Sequence, residues 1–76
     1  MSAEQEWTER IKRFLKAELK RADVTYEDLA RRMNVMGLEE TKMSVASKLS
    51  RGGFGATFLV TALKAVGSDY GRLHDL

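Results

Sequence analysis

The sequence predicts an all-α fold, a compact bundle of four short helices containing a helix-turn-helix. Three observations carry that expectation. The chain has 76 residues and no proline anywhere. Its apolar residues recur at spacings of three and four, the period of a helix face. Valine-rich alternation of the kind that marks a strand is missing, and glycines fall where helices have to stop.

Helix 1 is expected over about Glu4 to Arg21, where Trp7, Ile11, Phe14, Leu15, Leu19 and Ala22 fall on one side and Lys12, Arg13, Lys16 and Lys20 on the other. Glu18 projects into the apolar stripe. Either it is buried against an arginine such as Arg31 or Arg51, or this end of the helix is exposed and the carboxylate meets water. Helix 2 starts after Thr25, with Asp28 three residues on as a weaker form of the capping box, and stops at Gly37. Leu29, Ala30 and Met33 are its apolar face. Helix 3 covers about Lys42 to Ser50, capped by Thr41 and ended by Gly52 and Gly53. Ala46 and Leu49 point to the core, with Val45 at its margin. Helix 4 spans Ala56 to Val66, buries Phe58, Leu59, Ala62, Leu63 and Val66, and stops at Gly67. Residues 68–76 form a tail with at most one short turn.

A chain of this length is one domain, 1–76, with the helix-turn-helix over about 25–52. It has no cysteine and one histidine, His74, so neither a disulfide framework nor a zinc site is expected, and no cofactor is implied. The N-terminal stretch does not have the layout of a signal peptide and no segment is long enough for a membrane span, which gives a cytoplasmic, nucleoid-associated protein as the expectation. An enzyme is not expected, because no nucleophile, base and metal set converges and "GGFG" lacks the lysine of a phosphate-binding loop. The formal charge of +2 says little alone. Its distribution says more: from Thr41 to Gly55 there are three basic residues and no acid, with Glu39 and Glu40 just upstream.

"TYEDLARRM" and "SVASKLSRGGF" resemble the first helix, and the recognition helix with its exit turn, of Cro and lambda-repressor-like DNA-binding domains. The resemblance covers Val24 to Gly67, with Ala46, Ser47, Leu49, Ser50, Arg51 and Gly52 in the places of the family's pattern. It departs from that pattern between Met33 and Ser44, a stretch longer than the usual tight turn. "VTYEDLARRM" followed by "MG" and "SRGGF" is similar, more closely, to a small bacterial domain family of unknown function.

The resemblance implies a sequence-specific DNA-binding protein, a transcriptional regulator that places helix 3 in the major groove. Residue chemistry points the same way. Ser44, Ser47 and Lys48 lie at helical spacing and offer short hydroxyl donors and a cation where a groove-entering helix must be slim and free of carboxylates. Thr41 and Lys42 stand at the N-terminal end of this face, where free amides favour phosphate. Tyr26 is either a phosphate contact, as the resemblance implies, or a packing residue. Arg51 is a DNA contact, a charge favourable to the helix dipole, or half of the Glu18 pair. A domain this small reads DNA best as a homodimer on two half-sites, through helix 1 around Trp7 or the tail around Tyr70 and Leu73. The alternative is a protein-binding adaptor that keeps the scaffold. Glu39 and Glu40 would repel phosphates, and Val35, Met36 and Met43 would form its contact patch.

Overall fold

A computed structural model describes residues 2–68, 73, 74 and 76. Four helices follow one another: α1 (Ala3–Arg21), α2 (Tyr26–Val35), α3 (Lys42–Arg51) and α4 (Ala56–Val66). Among the described residues there is no strand, and no helix is long and apolar enough to cross a membrane. Tyr70, one of the residues expected at a dimer surface, lies outside the described residues.

The helix starts are set by side chains. Ser2, Thr25 and Thr41 each cap a helix through a reciprocal capping box, with Gln5, Asp28 and Ser44, each the third residue of its helix, as the partners. At Thr25 the hydroxyl accepts the Asp28 amide at 3.0 Å, and the Asp28 carboxylate accepts the Thr25 amide at 3.2 Å. The stops follow one pattern as well. Asp23, Gly37 and Gly67 take positive φ of 57°, 94° and 78° just beyond α1, α2 and α4. The next residue's amide then bonds back to the helix, Val24 to Leu19, Leu38 to Met33 and Ser68 to Leu63. This is the Schellman arrangement, which satisfies carbonyls that the ending helix leaves free.

The core is formed by Leu15, Leu19, Val24, Leu29, Ala30, Met33, Val45, Leu49, Phe58, Ala62 and Leu63. All four helices contribute, and α2 packs against both α3 and α4. The α3 register differs from the sequence expectation. Val45 and Leu49 are fully buried, whereas Ala46 is half-buried. A spacing of four aims both large side chains at α2, and the volume of valine over alanine decides which neighbour takes the inner place.

Glu18 is buried, at 3% exposure, but its partners are neither Arg31 nor Arg51. Arg21, one turn on, pairs with it, and the Ser68 hydroxyl donates to its other oxygen. The Schellman turn at Gly67 is what delivers Ser68 to that carboxylate. Arg31 instead pairs with Asp28 at 2.9 Å, and Arg32 donates to the Ala65 carbonyl at 3.0 Å, tying α2 to the end of α4.

Gly52 ends α3 with φ 73° against α1, where a Cβ would stand 2.9 Å from Thr8 Cγ2 and 3.4 Å from Lys12 Cδ. Lys12 also donates to the Ser50 carbonyl at 3.2 Å. The C-terminal end of α3 is therefore fixed to α1 by a close backbone approach and a charged cap.

Gly52→Ala is expected to destabilise the fold by about 2–3 kcal/mol, from left-handed strain plus steric overlap, in urea denaturation. Gly53→Ala, where a Cβ meets nothing within 4 Å, is expected to stay within about 0.5 kcal/mol of the parent.

The Thr25 amide and hydroxyl, with Arg31 adding to them, hold the Asp28 carboxyl below the usual carboxylate range. A lowered folded pKa means the cap stabilises the fold above the unfolded pKa and stops doing so as pH falls through the folded value. Thermal unfolding of the parent should therefore lose more stability between about pH 5 and 2 than that of Asp28→Asn.

Candidate nucleic-acid interface

The connection from α2 to α3 runs from Met36 to Thr41 as an ordered turn. Leu38 folds back toward Met33, and the Glu40 amide donates to Asn34 Oδ1 at 3.0 Å. These two ties aim the Glu40 side chain at the first turns of α3. There its carboxylate is 7% exposed and accepts from two donors, Ser44 Oγ at 2.6 Å and Lys48 Nζ at 2.5 Å. The Lys48 ammonium also lies 4.9 Å from the centroid of the Phe58 ring, an arrangement that favours the cation on the ring face. Ser44 Oγ accepts the Thr41 amide at 2.8 Å, so the cap of α3 and the Glu40 clasp share one hydroxyl.

Ser44, Ser47 and Lys48, expected to present one contact face, are therefore split by the structure. Ser47 is exposed, while Ser44 and Lys48 are half-buried and engaged with Glu40. The expectation of a recognition face without a nearby carboxylate is not met at Ser44 and Lys48. The sequence carried only a weak signal for this, because Glu40 stands four residues before Ser44 but ahead of the Thr41 cap, where helical spacing does not by itself place it beside Ser44 and Lys48.

The remaining residues singled out in the sequence sit as follows. Tyr26 opens α2 half-buried and packs against the core. Thr41 is the exposed N-cap, and Lys42 is the exposed first residue of α3. Arg51 is the exposed last residue. It borders a cleft of about 420 Å³ that Phe54 and Phe58 also line. The outward face of α3 is thus Lys42, Met43, Ser47, Ser50 and Arg51. Met43 and Ser50 had not been singled out as contacts to DNA. They join the face because Val45 rather than Ala46 points inward, which rotates the helix.

Other exposed apolar residues stand apart from that face. Val35, 86% exposed, and Met36, 40% exposed, flank a shallow groove with Arg32 and Lys64. Trp7 on α1 is 50% exposed, with the Arg10 guanidinium 4.7 Å from its ring. Among the described residues, no group of three His, Cys, Asp or Glu side chains is placed to hold a metal.

The fold is thus that of a small all-helical domain whose third helix carries hydroxyls and cations outward. The family model of a domain of unknown function, DUF6471, matches residues 7–70, and the chain belongs to that family. No curated protein and no solved structure matches it.

The Glu40–Lys48 pair is more enclosed than a surface ion pair, and a double-mutant cycle with Glu40→Ala and Lys48→Ala is expected to give a coupling of about 1–2 kcal/mol. Asn34→Ala, which removes the acceptor of the Glu40 amide, should cost about 1 kcal/mol in the same denaturation assay.

Proposed function

We propose that this domain binds double-stranded DNA and acts as a transcriptional regulator, with α3 as the element that enters the major groove. The observation that carries the reading is the outward face of α3: Lys42, Met43, Ser47, Ser50 and Arg51, two cations and two hydroxyls with no carboxylate among them. Such a face can approach phosphates without repulsion and offer short donors to base edges. The nearest acid of the preceding turn, Glu40, is turned inward and neutralised by Lys48, so it weighs less against DNA than its place in the sequence suggests. The resemblance of α2 and α3 to Cro and lambda-repressor-like domains supports the same assignment, with a longer connection between the helices.

In this reading Lys42 and Arg51 neutralise phosphates at the two ends of α3, Ser47 and Ser50 face base edges, and Thr41 and the free amides beside it approach the backbone. Tyr26, half-buried at the start of α2, has a packing role first. A homodimer on paired half-sites would supply the affinity that a single small domain lacks, in the cytoplasm at the nucleoid.

A second reading, a protein-binding adaptor on the same scaffold, is favoured by one observation. Val35 and Met43 are 86% and 82% exposed, unusual for large apolar side chains in so small a domain.

Fluorescence anisotropy with random-sequence duplex DNA over a salt series separates the two. The parent should bind with steep salt dependence. In Lys42→Ala/Arg51→Ala the slope of log affinity against log salt should fall by about 1.8, at roughly 0.9 per phosphate contact. Absence of binding at low salt, with Val35→Ser and Met43→Ser abolishing a protein complex, would select the adaptor.

A further inference from the structure

We infer that Lys48 Nζ and Ser44 Oγ form a phosphate-oxygen site on the DNA-facing side of the domain, and that the Glu40 carboxylate is its displaceable resting occupant. The inference rests on the DNA-binding reading and alters what Lys48 and Ser44 do within it: they hold the nucleic-acid backbone and do not read bases.

The geometry already contains the anion. One carboxylate oxygen takes the ammonium at 2.5 Å and the other takes the hydroxyl at 2.6 Å. Two oxygens of one anion bridging a cation and a hydroxyl is also how a phosphate diester presents its two unesterified oxygens. The donors do not depend on Glu40 for their placement. Lys48 lies over the Phe58 ring at 4.9 Å, and Ser44 is held by the Thr41 amide at 2.8 Å. The turn does not depend on the carboxylate either. Its backbone is tied by Asn34 at Glu40 and by Met33 at Leu38. The Glu40 side chain can therefore rotate away while the backbone on both sides stays in place. With 34% of its side chain exposed, Lys48 is open to an incoming anion from the cleft that it lines together with Glu40 and the cationic Arg51.

The consequence is a domain whose affinity for DNA is held down by its own carboxylate. Binding replaces an internal ion pair with a phosphate contact, so that contact adds little net affinity while Glu40 remains. Removing the negative charge frees one cation for the backbone.

The test is the salt-series anisotropy measurement with random-sequence duplex DNA, on parent, Glu40→Gln, Lys48→Met and Glu40→Gln/Lys48→Met. Each variant is first checked for helical circular dichroism. Glu40→Gln is expected to bind several-fold more tightly at low salt, with a slope steeper by about 0.9, and Lys48→Met in the same chain should remove both gains. A measurement on the unmutated chain covers the case in which Glu40→Gln unfolds. The Glu40 side-chain carboxylate carbon resonance should move on adding duplex DNA, as its ion pair is exchanged for solvent. Glu40→Gln binding no better than the parent, while Lys42→Ala/Arg51→Ala still weakens binding, would overturn the displaceable carboxylate and leave the DNA reading in place. A Glu40 resonance that does not move on saturation would do the same. If no variant binds DNA at low salt, both fall together.

Discussion

The position of α3 depends on a constraint at each end. At its C-terminal end Gly52 approaches α1 so closely that a Cβ would stand 2.9 Å from Thr8 Cγ2, and Lys12 donates to the Ser50 carbonyl. At its N-terminal end Thr41 caps the helix, while Glu40 clasps Ser44 and Lys48. Between these ends Val45 and Leu49 are buried in the core to which α2 contributes Leu29, Ala30 and Met33. A ten-residue helix is marginal in water by itself, so its rigidity has to come from such tertiary ties. The outward face of α3 is the surface they leave uncovered.

Much of this arrangement was legible in the residues. Thr25 with Asp28, Thr41, Gly37, Gly52 and Gly67 marked where helices begin and end, because capping and positive φ are local requirements that few residue types meet. The C-terminal bound of α4, at Gly67, was readable for the same reason. What depended on distant partners was not. The Glu18 carboxylate could be recognised as out of place in an apolar stripe, but its partner Ser68 is set by a turn fifty residues away in sequence. Asp23 at positive φ after α1 carried no glycine to announce it.

The site shows the same division. Lys42, Ser47 and Arg51 stood out by residue type and are exposed on α3. Ser44 and Lys48 stood out equally, yet they face a carboxylate supplied by the preceding turn. Their placement followed from two facts the sequence states only weakly: that Val45 takes the inner position, and that the turn is ordered by Asn34 so that Glu40 points at α3 and not at solvent. The lengthened connection, which sets this chain apart from the tighter helix-turn-helix pattern, is also the segment that supplies the clasp.

The most direct test of the central claim is to follow backbone amide resonances while random-sequence duplex DNA is added at low salt. The largest shifts are expected on α3, at Lys42, Met43, Ser44, Ser47, Lys48, Ser50 and Arg51, with α1 beyond Lys12 unaffected. Shifts centred instead on Val35 and Met36, or no shifts at all, would contradict the assignment of α3 as the contact element.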